Sequence, residues 1–115
     1  MLRTKTAAAL PDLALEALGN PERRRLVTAL ADGPLSVGEL AAQFPISRPA
    51  ISRHLKQLEQ ARLVTHSAAG TRNVYRLDAA GLTETAAWLT RFWDDAEARL
   101  KLLAENTEPK GARRG

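Results

Sequence analysis

The chain has no cysteine among its 115 residues, which excludes a disulfide framework, a thiolate nucleophile and a thiolate metal site. No stretch reaches the roughly 18 apolar residues that a membrane span needs, so no membrane partner is expected. The opening MLRTKTAAAL lacks the apolar core of a signal peptide, and the expected location is the cytoplasm. Catalytic signatures are missing too. There is no glycine-rich phosphate loop, no serine in a nucleophile motif, and no histidine with an acid at useful spacing. These absences argue against an enzyme and call for no cofactor. No internal repeat is visible, and 44% hydrophobic content over this length suits one domain with a modest core, open to support by oligomerisation.

What is present is unevenly placed charge. The formal charge is +4, but from Arg48 to Arg76 the cations Arg48, Arg53, Lys56, Arg62, Arg72 and Arg76 face the single acid Glu59, a net +5 that leaves −1 for everything else. A local basic surface on an otherwise balanced chain points to a polyanion as partner.

The basic segment overlaps the stretch around which the chain is organised, SVGELAAQFPISRPAISRHLKQLEQAR at 36–62. Ser36 with Glu39 three residues on is a capping box and starts a short helix. Leu40 and Phe44 continue its apolar face, and Pro45, which lacks a backbone donor, stops it after about two turns. Ser47 is a second N-cap. Behind it Ile51, Leu55, Leu58 and the stem of Arg62 share a narrow sector at helical spacing, the buried edge of a second helix. The opposite sector carries Pro49, Ser52, Arg53, Lys56 and Gln60, with Arg48 near the first turn, residue types suited to phosphates and base edges. Two short helices joined by a few residues, the second offering cations outward, is the arrangement of a helix-turn-helix. Leu63–Ser67 and Thr71–Leu77 then read as a hairpin with its tip at Ala68-Ala69-Gly70, which makes the unit a winged one. Double-stranded DNA is the polyanion such a unit meets.

The run LSVGELAAQFPISRPAISRHLKQLEQARLV and the later GTRNVYRL resemble the winged-helix repressors of the ArsR family. The likeness extends over roughly residues 12–104 by order and length of elements, and SRPAISRHLKQLE is its specific part. It implies a mainly α fold with a small β-hairpin wing, and a homodimer joined through the first and last helices. One departure is Pro45, where such turns usually carry glycine. Many members sense metals through cysteines in the helix that opens the DNA-binding motif, or through Asp and His pairs in the last helix. Here Ser36 and Gly38 stand where the cysteine pair would be, and the last helix has no histidine, so a metal would need an unfamiliar site. Ser47, Arg48, Pro49, Ser52 and Arg53 are the candidates for major-groove contact, and Lys56, Arg72 and Arg76 for phosphates, with Arg62 a weaker candidate near the helix end.

Residues 1–11 read as a loose lead-in and 105–115 as a basic tail without apolar pattern. Asp12 caps a short helix carrying Leu13, Leu15 and Leu18, which Gly19 ends. Asn20-Pro21-Glu22 gives an N-cap, a proline at the first helical position and an early acid, opening a helix with Leu26, Val27 and Leu30 on its core edge. Asp32-Gly33-Pro34 closes that helix, and Arg23, Arg24 and Arg25 form a solvated face. Asp78 caps the long last helix, expected over residues 82–104. Its Leu82, Ala86, Leu89, Trp93, Ala96, Leu100 and Leu103 are separated by 4, 3, 4, 3, 4 and 3 residues, a heptad seam that Trp88 and Phe92 widen. Together with Leu13 from the first helix, that seam is the candidate dimer interface.

His54 falls at the edge of the second motif helix's buried sector and reads as a packed, hydrogen-bonded residue, while His66 on the wing reads as exposed or phosphate-facing. Asp94, Asp95 and Glu97 read as a solvated face that lacks imidazole. The sequence therefore describes a sequence-specific DNA-binding transcriptional regulator, a repressor on a partly palindromic operator. The rivals are a winged helix that docks on protein and a partner-dependent activator; an effector is left open.

Overall fold

The computed structural model describes residues 12–107; the segments 1–11 and 108–115, read from sequence as loose, lie outside the described residues. The first helix, α1, is described over residues 12–18 and includes Asp12, which therefore lies within the helix and not ahead of it as a cap. Next come α2 (Pro21–Leu30), β1 (Leu35–Ser36), α3 (Val37–Gln43), α4 (Arg48–Gln60), β2 (Val64–Ala69), β3 (Arg72–Leu77) and α5 (Ala79–Thr107).

Local hydrogen bonds set most of these boundaries. Asn20 Oδ1 accepts the Arg23 amide at 3.0 Å, and Pro21 fills a first-turn position where no amide donor is required. The capping box closes as the spacing predicts: Ser36 Oγ accepts the Glu39 amide at 3.1 Å, and the Ser36 amide donates to Glu39 Oε1 at 2.8 Å. Phe44 precedes a proline, is forced extended at φ −120°, ψ 139°, and stops α3. Ser47 Oγ accepts the Ala50 amide at 3.2 Å and starts α4.

The far end of α4 differs from the sequence expectation. Arg62 does not continue the helix's buried edge. It takes φ +62° just beyond the C-cap Ala61, its amide donates to Glu59 O at 3.0 Å, and the Leu63 amide donates to Leu58 O at 2.9 Å. That pair of bonds is a Schellman closure, made here on an arginine where glycine is usual. Its customary apolar contact is supplied by Leu58 and Leu63, both fully buried.

The antiparallel sheet has the order β1-β3-β2. The two-residue β1 was not expected: it is too short to show a period. Leu35 pairs with Tyr75 and Ser36 with Val74, so Ser36 serves both the sheet and the helix cap. The wing strand runs to Ala69 instead of Ser67, and the chain reverses over Gly70-Thr71. Gly70 has φ +65° at the first central position, where a two-residue hairpin loop takes glycine.

The core of residues 12–85 is built on Leu26, Leu40, Ile51, Leu55, Leu58, Leu63 and Val64. Burying each such side chain stabilises the fold by about 1.5–3 kcal/mol. From α1 the buried residues are Ala14 and Ala17, while Leu13 and Leu15 are exposed. Helical spacing, not hydrophobicity alone, decides which side turns inward.

The last helix begins at Ala79, three residues earlier than expected, because Asp78 Oδ1 accepts the Gly81 amide and Asp78 O the Leu82 amide. It runs on to Thr107, so residues 105–107 are helical and not tail. A Cβ on Gly81 would stand 1.6 Å from the Arg62 carbonyl oxygen, so only glycine fits there. Leu82 packs against the core. By contacts the chain divides after Thr85, within α5. In the second part Leu89, Trp93 and Leu100 of the seam are exposed, Trp93 and Leu100 each by 65%. Trp88 and Phe92 stack with ring centroids 5.4 Å apart and an interplanar angle of 4°.

Candidate nucleic-acid interface

The second motif helix, α4, keeps Ile51, Leu55 and Leu58 fully buried and turns Arg48, Pro49, Ser52, Arg53, Lys56 and Gln60 to solvent. Ser47 is exposed at its start. The Ser47 oxygen is occupied by the cap, but its own O–H remains to donate.

The cations of residues 12–85 fall into two sets. Five are engaged within the protein. Arg23 Nε donates to Ala17 O at 2.7 Å and Arg24 Nη1 to Leu18 O at 2.6 Å, so these two cap the last carbonyls of α1, Arg24 from an exposed position and Arg23 from a half-buried one. Arg25 pairs with Glu22 at 3.4 Å, Arg62 with Glu84 at 3.1 Å, and Arg76 Nη1 donates to Ser67 Oγ at 2.9 Å across the wing. The other four, Arg48, Arg53, Lys56 and Arg72, have no hydrogen bond or ion pair among the described residues. Three of these lie on the outward side of α4 and one, Arg72, beside the tip of the wing. Unpaired charges gathered in one region form a receptor for an extended anion.

A groove of about 750 Å³ joins the two places. It brings together Arg48, Pro49 and Ser52 from α4, Arg72 from β3, Ser36 from β1, and Gly38 and Glu39 from α3. Arg53, Lys56 and Arg76 do not line it. Thr71 and Asn73 do, and sequence reasoning passed over both. Their signal is hydrogen-bonding side chains on either side of Arg72 at a glycine turn. The Glu39 carboxyl is held below its ordinary pKa by the Ser36 amide first, then by the Ser36 hydroxyl, with a smaller contribution from Arg72.

His66 is exposed, as expected, and His54 sits at the edge of the buried sector but without the expected hydrogen bond among the described residues. His66 Nδ1 lies 2.8 Å from Glu59 Oε2 and its ring lies against Tyr75, centroids 4.9 Å apart, so it ties the wing to α4. His54 is half-buried and has no hydrogen bond among the described residues. Burial pushes its pKa down, with Arg23 and Arg53 adding to the shift against Glu22.

The family model for bacterial regulatory proteins of the arsR family matches residues 20–66, from the cap of α2 into the wing. The chain is 55% identical over 86 residues to the HTH-type transcriptional regulator Rv2034 of Mycobacterium tuberculosis, covering 75% of this chain and 80% of that protein. It belongs to the ArsR family. The transcriptional repressor SdpR of Bacillus subtilis is 32% identical over 67% of this chain and 86% of its own length. An ArsR-like transcriptional regulator from Rhodococcus sp. RHA1 superposes with a TM-score of 0.75 at 30% identity, covering 88% of this chain and 95% of that one.

As an ArsR-family protein the chain is a DNA-binding transcriptional regulator and not an enzyme, and its mainly helical winged fold is the one the sequence implied. Ser36 is engaged in the capping box, and Gly38 lies beside the Arg48 guanidinium. Among the described residues no three His, Asp or Glu side chains converge to hold a metal. None of their helices is long and apolar enough to cross a membrane.

Proposed function

We propose that this ArsR-family protein is a repressor that binds a partly palindromic operator as a homodimer in the bacterial cytoplasm. The observation that carries the reading is the set of four cations left unpaired along the outward side of α4 and beside the tip of the wing. Ser47, Arg48, Pro49, Ser52 and Arg53, at the N-terminal half of α4, enter the major groove; Lys56, Arg72 and Arg76 hold phosphates. A winged helix that docks on protein instead would need those charges neutralised. The seam of α5, with Leu89, Trp93 and Leu100 exposed in the single chain, supports pairing with a second copy, and Leu13 of α1 is exposed to join it.

Selection of bound duplexes from random DNA at several salt concentrations is expected to return a two-fold symmetric site. On that site Arg53→Ala is expected to cost about 1–3 kcal/mol of specific binding while leaving the unfolding midpoint unchanged, since the side chain points away from Ile51 and Leu55. Full affinity in a folded Arg53→Ala protein would remove α4 from the role of reading helix.

A further inference from the structure

The helix α3 carries a glycine, Gly38, at its second position. Its φ is not in the left-handed region, so no turn or backbone conformation requires glycine there. Glycine is also the weakest helix former apart from proline. What the missing side chain makes room for is specific. A Cβ on Gly38 would stand 2.7 Å from Arg48 Nη2 and 3.5 Å from Arg48 Cζ, and its next neighbour, Ser36 Oγ at 3.9 Å, is at ordinary contact distance. The space belongs to the Arg48 guanidinium, which lies over the first turn of α3. Both residues line the groove between α3, α4 and the wing, and Arg48 has no hydrogen bond or ion pair among the described residues.

We propose that Gly38 is a positioning residue for DNA binding, setting how deep in the protein groove the Arg48 guanidinium stands and therefore which base edge it meets in the major groove. The inference rests on the DNA-binding reading above and deepens it. An arginine held by no partner keeps its rotamer freedom, and binding must then restrict it. Backing the guanidinium against a flat helix turn limits the directions it can take while leaving its outer donors free for a planar, two-pronged contact with a base edge. Any side chain at position 38 moves it outward.

The predicted signature is a separation of stability from binding. Gly38→Ala replaces glycine by the best helix former, and the only atoms in its way are the tip of a flexible side chain. The unfolding midpoint is therefore expected to stay or rise, while affinity for the selected operator falls by roughly tenfold, the scale of one charge-assisted contact. Arg48→Ala should lose at least as much, and adding Gly38→Ala to it should lose nothing further. If Gly38→Ala keeps full affinity while Arg48→Ala and Arg53→Ala both weaken binding, the positioning role is wrong and the DNA face stands. If Gly38→Ala costs the same factor with and without Arg48, the glycine acts on something else and the proposal fails. If none of the three variants changes affinity, the DNA face falls, and the proposal with it.

Discussion

Arg62 holds a left-handed backbone, φ +62°, because the closure of α4 demands it, although a side chain in that region is strained by about 1 kcal/mol. Its ion pair with Glu84 is partly exposed and offsets little of that strain. Arg62→Gly is therefore expected to raise stability only slightly, by up to about 0.5 kcal/mol, after the greater freedom of glycine in the unfolded chain is counted. Urea unfolding checks this, and a lower midpoint would mean that the Glu84 pair matters more than the backbone. Two further residues predict the response to acid. His54 and Glu39 both have folded-state pKa values below their ordinary ones, the first mainly through burial, the second through its hydrogen bonds to Ser36. Each contributes stability that is complete above its unfolded pKa and is lost as pH falls through the lowered folded value. Stability should decline first below the ordinary histidine range and again below the ordinary glutamate range. His54→Gln should flatten the first limb in a pH series of unfolding curves, and Glu39→Gln the second.

Among the elements, α4 is fixed at both ends and along one side. Ser47 caps its start, the Schellman bonds and the tight approach of Gly81 hold its end, and the His66–Glu59 contact joins it to β2. A helix held this way presents its cations without first having to order itself. The wing is different. Arg72 and Arg76 share the face of β3 opposite Tyr75 and Leu77, but Arg76 is engaged with Ser67 and Arg72 is not hydrogen-bonded. Arg72→Ala is thus the cleaner test of the wing. It should weaken binding to all sequences alike and flatten the dependence of log affinity on log salt by about one unit. A changed sequence preference would show that Arg72 reads a base or the minor groove.

For the whole molecule the question is pairing. The seam runs at 4-3 spacing along α5, and exposed Leu89, Trp93 and Leu100 are a large apolar surface for a single small chain to leave in water. Leu89→Glu or Leu100→Glu would place a carboxylate in the seam with a desolvation penalty of several kcal/mol, counted once per subunit. The expected product is a folded monomer that binds a half-site and fails on the full one, because a palindrome needs two α4 helices held about 34 Å apart. Light scattering and titration of full and half sites measure both. Wild-type protein that is monomeric at micromolar concentration would return the seam to the interior of its own chain.

The sequence by itself determined whatever depends on neighbours three or four residues away. The caps at Asn20, Ser36 with Glu39, Ser47 and Asp78, the stop before Pro45 and the outward face of α4 are all local, since their bonds close within one helical turn. The family was legible for the same reason, its specific motif being one continuous helix. Only the tertiary structure decided which cations are free. Arg23 and Arg24 reach back across a turn to the end of α1, Arg62 finds Glu84 22 residues on, and His66 finds Glu59, and none of these partners is marked by spacing. It also decided that Ala14 and Ala17 face inward while Leu13 does not, and that Leu35 and Ser36 form a strand, because β1 exists only through its pairing with Tyr75 and Val74. A charge count treats every arginine alike; through-space hydrogen bonding divides those of residues 12–85 into ones engaged within the protein and ones without a partner among the described residues.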